Sequence, residues 1–104
     1  MLDLTRLLRP RSVAVVGATD RSGAYGAQAL VNLDAIGFPG PVWGVNPGRT
    51  EVLGRPCLPS VSDLPEPVDA VVVAIPAAGV PEAIEAAGAR GCGGAVVFSA
   101  GFGE

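Results

Sequence analysis

Ser12-Val13-Ala14-Val15-Val16-Gly17-Ala18-Thr19-Asp20-Arg21-Ser22-Gly23-Ala24-Tyr25-Gly26 runs from consecutive apolar residues straight into a glycine-rich turn. Apolar side chains without polar alternation are what a strand covered on both faces requires, so the run ending at Val16 reads as a buried parallel strand. The turn feeds a helix, and a helix start aims backbone N–H groups and the positive end of its dipole at an anion. The stretch is therefore a candidate phosphate seat at the end of a buried strand.

Outward from it, Leu2 to Leu8 can form a short amphipathic helix with Leu4, Leu7 and Leu8 on one side, stopped by Arg9-Pro10. Ser22 is placed to cap a helix from about Ala24 to Ile36, with Ala27, Leu30, Val31 and the neighbours of Asp34 facing a sheet and Gly37 as its stop. Phe38-Pro39-Gly40 turns the chain into a second strand, Pro41 to Val45. Glu51 to Pro59 holds one short strand, either Val52-Leu53 or Pro56 to Leu58, whose prolines suit a sheet edge. Ser60 to Leu64 reads as a single helical turn closed by Pro65, and Val68 to Pro76 as a second fully apolar strand at the sheet centre. Pro81 in a first turn, Glu82 and Glu85 near the start and Arg90 near the end predict a helix from Val80 to about Arg90, ended by Gly91. Gly94 to Phe98 supplies a fifth strand.

Strands alternating with helices in this way predict an α/β fold: a doubly wound, Rossmann-like parallel sheet of about five strands in the order 3-2-1-4-5. A ligand crevice then lies where the loops after strands one and four diverge, at Gly17 to Gly26 and Pro76 to Gly79. Asn46 to Thr50 and Ser99 to Gly103 belong to the same rim. The chain stops at Gly101-Phe102-Gly103-Glu104, just past strand five. A bare parallel edge is a pairing liability, so residues 1–104 are expected to be the N-terminal part of a longer polypeptide, or a subunit whose edge a partner covers.

The glycines narrow the ligand. Gly17, Gly23 and Gly26 depart from the G-x-G-x-x-G dinucleotide spacing, and the second strand ends in Asn46-Pro47 where an NAD site would carry Asp or Glu for the ribose hydroxyls. Arg49 follows, and a guanidinium there can pair with a phosphate on a ribose. Phosphorylated ribose occurs in NADP and in coenzyme A, and both stay open on these residues alone.

Composition excludes other classes. At 104 residues the chain is one domain, and a net charge of −3 without a basic run argues against nucleic acid or an anionic membrane as the main partner. No apolar stretch approaches the ~20 residues of a membrane span and the start lacks a signal-peptide pattern, so the expectation is cytoplasmic. There is no His and no Lys, which rules out a Walker-type lysine, a Schiff base and a His-activated nucleophile. Cys57 and Cys92 lack metal-ligand spacing and read as ordinary buried or half-buried thiols. No catalytic residue and no metal ligand is expected.

Several motifs in order carry a resemblance. Leu8-Arg9-Pro10-Arg11-Ser12 through Arg21, Gly37-Phe38-Pro39-Gly40-Pro41-Val42 with Val45-Asn46-Pro47, Leu64-Pro65-Glu66-Pro67-Val68-Asp69, and Ser99-Ala100-Gly101-Phe102 span nearly the whole chain. Together they resemble the N-terminal coenzyme A-binding domain of NDP-forming acyl-CoA synthetases, relatives of the succinyl-CoA synthetase alpha subunit. The resemblance implies that Gly17, Ala18, Thr19, Asp20, Arg21 and Ser22 hold nucleotide phosphates and that Asn46, Pro47 and Arg49 follow strand two as a CoA contact. Related subunits often carry Lys where Arg49 stands. It further implies that Ile75, Pro76 and Ala77 line the adenine or pantetheine, with Phe98, Ser99 and Ala100 beside them, largely through backbone. In the family the acid, CoA and ATP are interconverted with acyl-CoA, ADP and phosphate through a phosphorylated histidine on a following domain and an ATP-grasp module. ATP, ADP and Mg would thus enter only through partner domains, and this chain would position CoA for their chemistry. Two other readings stand beside it: an NADP-binding redox module, and a stand-alone, non-catalytic CoA-binding protein.

Individual residues carry plainer readings. Gly23 and Gly26 serve either the phosphate or a close approach of helix to sheet, and Arg21 is either a ligand or a solvated loop charge. Arg49 is either a phosphate ligand or the partner of Glu51 in a surface ion pair. Tyr25 and Trp43 read first as packing residues, Asp20 as a turn or capping residue, and Ser99 as a hydrogen-bond donor rather than a nucleophile.

Overall fold

Val13–Val16 forms β1, and all four of its residues are buried, as a strand with helices on both faces demands. It pairs in parallel with β2 (Val42–Val45) on one side and β5 (Ala70–Val73) on the other, with Val13 opposite Val42 and Ala70 and Val16 opposite Val45 and Val73. The computed structural model describes residues 5–98. Before β1 comes a single turn, α1 (Thr5–Leu8), and after it α2 (Tyr25–Ala35). Then follow β3 (Glu51–Val52), β4 (Arg55–Leu58), a 3-10 turn at Val61–Asp63, β5, α3 (Val80–Arg90) and β6 (Ala95–Val97).

The sheet has six strands in the order β3-β4-β2-β1-β5-β6. The α/β doubly wound expectation stands, with one amendment to strand count and order. Strands form near both places offered for the third strand, with Glu51–Val52 in place of Val52-Leu53 and Arg55–Leu58 around Pro56 to Leu58, as a tight antiparallel hairpin pairing Glu51 with Pro56 and Val52 with Arg55. Its turn puts Leu53 at φ 49° and Gly54 at φ 78°, so a sequence signal that read as one edge strand folds back on itself. β4 pairs with β2 in parallel, and β3 takes the outer edge.

Alternate residues of the central strands feed two cores. Val13, Val15, Val42 and Ala70 pack with Leu30 of α2 on one face, while Ala14, Val16, Val71 and Val73 pack with Val80, Ala83 and Ala87 of α3 on the other. Within α2, Ala27 and Leu30 are buried and Leu33 is half-buried as expected, but Val31 is exposed because it lies off the sheet-facing stripe. In α1, Leu7 packs against the α2-side core, whereas Leu8 is exposed, and Leu2 and Leu4 lie outside the described residues. The last strand is thinly covered: Val96, Val97 and Phe98 are all exposed.

The end of the sheet opposite the proposed crevice is tied by Asp69. Its carboxylate accepts from Arg6 Nε at 2.8 Å and from the Arg11 backbone N–H at 2.8 Å, and its own backbone N–H donates to Ser12 Oγ at 3.1 Å. The side chain of Asp69 thereby fastens α1 and the entry to β1 onto the start of β5. The Arg6 hydrogen bond, reinforced by the Arg11 backbone N–H, holds its carboxyl below the usual carboxylate range.

Candidate functional site

Five parallel strands, β4, β2, β1, β5 and β6, end on one edge of the sheet. The helices after β1 and β5 lie on opposite faces, so their loops part between these strands and leave a crevice. A cleft of about 450 Å³ opens there. Gly17, Thr19 and Arg21 come to it from the β1 turn, Tyr25 from the first turn of α2, Ile75 and Pro76 from the end of β5, and Phe98 from the end of β6.

Two glycines let the walls meet. Gly17 takes φ 89°, its N–H donates to Val45 O at 2.9 Å, and a β-carbon there would overlap the Ala74 carbonyl oxygen. A β-carbon on Gly26 would overlap the Gly17 carbonyl oxygen and lie 2.9 Å from its carbon. Gly26 is thus the close-approach glycine, which brings the start of α2 directly onto the end of β1. Gly23, by contrast, has open space around it but stands at φ 85°, so its role is conformational.

The cap of α2 departs from expectation. Ala24, in extended conformation, is the N-cap and makes no side-chain cap bond to the helix start; Ser22 is exposed and lines neither this cleft nor its neighbour. The first turn also contains no acidic residue. The leading N–H groups of a helix have no acceptor within it, so α2 presents these donors at the cleft wall formed by Ala24 and Tyr25.

A second cleft of about 310 Å³ lies on the α3 side and shares Gly17 and Ile75 with the first. Asn46 and Pro47 line it, together with Ser60, Val61 and Glu82. The Asn46 side chain is already committed: its Nδ2 donates to Ala18 O at 2.9 Å and its Oδ1 accepts from the Gly48 N–H at 2.9 Å. It fastens the β2 loop to the β1 loop. Ala18 is fully buried, and Ala77 sits in a 3-10 turn (Ala77–Gly79) outside both linings. Ser99 and Ala100 lie outside the described residues.

Arg49 does not pair with Glu51 but reaches back across the rim to Asp20, Nη2 to Oδ1 at 3.2 Å. The hydrogen bond from Arg49, helped by its charge, holds the Asp20 carboxyl below the usual range. Asp20 is therefore a partner of the basic residue that follows β2. Tyr25 also departs from its packing role: it is 56% exposed, and its ring centroid lies 6.4 Å from that of Phe98, tilted 44° across the cleft mouth. Trp43 is half-buried against the α3-side core, as a packing residue should be. Cys57 is buried in β4 and burial pushes its thiol pKa up; Cys92 is half-buried.

What the sequence reading missed is Asp69 as a structural tie and the Asp20–Arg49 pair. The pattern Ser12 with Asp69 is too distant in sequence to read, whereas a basic residue after β2 and an acid after β1 could have been paired by the parallel order of the strands. Among the described residues no cluster of His, Cys, Asp and Glu suits a metal ion. No helix among them is long and apolar enough to cross a membrane.

A family model described as "CoA binding domain" matches residues 11–103. Trans-feruloyl-CoA synthase from an unknown prokaryotic organism is 48% identical over 101 residues, covering 97% of this chain and 14% of that protein. Acetate–CoA ligase (ADP-forming) I of Archaeoglobus fulgidus is 46% identical over 101 residues, again 97% of this chain and 14% of its own length. The chain therefore spans about one-seventh of the length of these relatives. Among solved structures, dinucleotide-forming acetyl-coenzyme A synthetase 1 of Ca. Korarchaeum cryptofilum, in complex with phosphate and ADP, superposes with a TM-score of 0.91 at 42% identity, over 98% of this chain and 22% of that one. The chain belongs to the CoA-binding domain family carried by ADP-forming acyl-CoA synthetases.

Proposed function

We propose that this chain binds coenzyme A across the carboxyl edge of its sheet and holds the thiol for acyl transfer completed by ligase and ATP-grasp domains. The observation that carries the reading is the uncapped start of α2 seated against β1 by Gly26, with two arginines, Arg21 and Arg49, on the adjoining loops. The donors suit the ligand. Backbone N–H groups and guanidinium forks match phosphate oxygens, while Ile75, Pro76, Tyr25 and Phe98 offer apolar surface for a base or a pantetheine arm.

In this role Gly17, Thr19, Arg21 and the first turn of α2 bind phosphate, and Arg49 takes the phosphate carried on the ribose. Asn46 keeps the two phosphate-facing loops in register by its bonds to Ala18 and Gly48. Ile75 and Pro76 shield the arm from water, and Ala77 and Ser22 support their turns. With no His in the chain, phosphoryl transfer belongs to a partner domain, and the contribution of these residues is positional. We place the role in the cytoplasm, within a larger ligase.

Isothermal titration with CoA, 3′-dephospho-CoA and NADPH, repeated on Arg49→Ala, tests this. CoA binding that weakens without the 3′-phosphate or without Arg49 is the expected result. NADPH binding with no response to CoA overturns it in favour of a redox module.

A further inference from the structure

We propose that Asp20 is a built-in stand-in for the ribose phosphate: it occupies Arg49 when the site is empty and gives it up to an incoming phosphate, so a ligand that carries that phosphate must displace Asp20 and binds less tightly than Arg49 alone would allow, while a ligand without it leaves the pair untouched. Asp20's role here rests on Arg49 being the phosphate ligand.

Among the described residues one ion pair bridges the two loops, with Asp20 from the β1 turn and Arg49 from the loop after β2. Both side chains are substantially open to water, 57% and 39% exposed, so the bond is weak enough to exchange. Its geometry is a single contact, Nη2 to Oδ1 at 3.2 Å, and not the two parallel bonds that a guanidinium makes with a well-matched oxyanion. A phosphate monoester brings more charge and three acceptor oxygens, and so outcompetes one carboxylate oxygen for the same fork. Once displaced, Asp20 remains next to the phosphate as an uncompensated like charge. That repulsion lowers net affinity, and a ligand lacking the phosphate leaves the Asp20–Arg49 bond in place across the rim. The two effects together mean that Asp20 tempers the affinity gained from the phosphate, narrowing the preference for CoA over its dephospho form rather than widening it.

The exposed loop position means that Asp20→Asn removes the competing charge without touching either core. On the full chain, calorimetry at low salt with CoA and 3′-dephospho-CoA would compare the native protein, Asp20→Asn, Arg49→Ala and the double variant. The expected result is CoA binding about two- to ten-fold tighter in Asp20→Asn, in line with the modest worth of exposed pairs. The gain should shrink at high salt, be absent for 3′-dephospho-CoA, and be reduced when Arg49 is already Ala. If Asp20→Asn weakens CoA as Arg49→Ala does, Asp20 orients the arginine and the stand-in role is overturned while the phosphate role of Arg49 survives. An equal gain for both ligands likewise overturns it. If Arg49→Ala leaves CoA affinity unchanged, the assignment of Arg49 fails and the stand-in role falls with it.

Discussion

Gly26→Ala and Gly88→Ala are the same substitution in two helices, and the structure gives them opposite signs. In a helix, replacing Gly by Ala gains up to about 1 kcal/mol from backbone entropy alone. At Gly88, in α3, a β-carbon meets nothing within 4 Å, so that gain stands. At Gly26 the added carbon overlaps the Gly17 carbonyl oxygen and sits 2.9 Å from its carbon. Comfortable carbon–carbon separation is about 3.5–4.0 Å, so the start of α2 must retreat by about 1 Å from β1. Forcing such an insertion into a packed contact costs about 1–3 kcal/mol, which outweighs the helix gain, the more so because Gly26 lies in the first turn. The net expectation is a loss of about 1–2 kcal/mol for Gly26→Ala and a gain of about 0.5–1 kcal/mol for Gly88→Ala. Urea unfolding followed by far-UV circular dichroism at 25 °C reads both; with a slope near ~1.5 kcal/mol/M, the midpoints should move down by about 1 M and up by about 0.5 M. Equal or greater stability of Gly26→Ala at unchanged slope would refute the close approach of α2 to β1, and a destabilised Gly88→Ala would refute the open space at α3.

Asp69→Asn should cost about 2 kcal/mol near neutral pH, since it weakens charge-assisted bonds to Arg6 and to the Arg11 N–H. Because the folded-state pKa of Asp69 is lowered, its stabilisation is present above the ordinary carboxylate pKa of ~3.9 and is lost as pH falls through the folded value. Thermal melts of the two proteins should therefore converge in acid, and a gap that persists undiminished at pH 2 contradicts the ion pair. Leu30→Ala, at the centre of the α2-side core and 1% exposed, should lose about 3 kcal/mol in the same urea assay. Arg49→Ala should leave the urea midpoint unchanged while lowering affinity for CoA more than for 3′-dephospho-CoA, because its ion pair is exposed; an equal drop for both ligands contradicts a contact with the ribose phosphate.

The parts of the fold written in local pattern were legible. Unbroken apolar runs marked β1 and β5, and Pro81, Arg90 and Gly91 bounded α3 at the residues where it begins and ends. The hairpin β3–β4 was not, because its turn uses Leu53 at positive φ rather than the Asn-Gly or Asp-Gly pair that announces such a bend. Nor was the helix cap, since Ser22 has a capping side chain and Ala24 has none, yet the chain enters α2 only after Gly23 has turned it. Of the candidate site, the glycines and Arg49 could be read from spacing along the chain. The pairing of Arg49 with Asp20, and the exposure of Tyr25 beside Phe98, depend on which loops the strand order sets side by side.

The most direct measurement is a titration of the isotopically labelled chain with CoA followed by amide chemical shifts. The shifts should concentrate at Gly17, Arg21 to Ala27, Asn46 to Arg49 and Ile75 to Ala77, where the β1, β2 and β5 loops meet. Shifts centred instead on Arg6, Arg11, Ser12 and Asp69, at the other end of the strands, would contradict that placement.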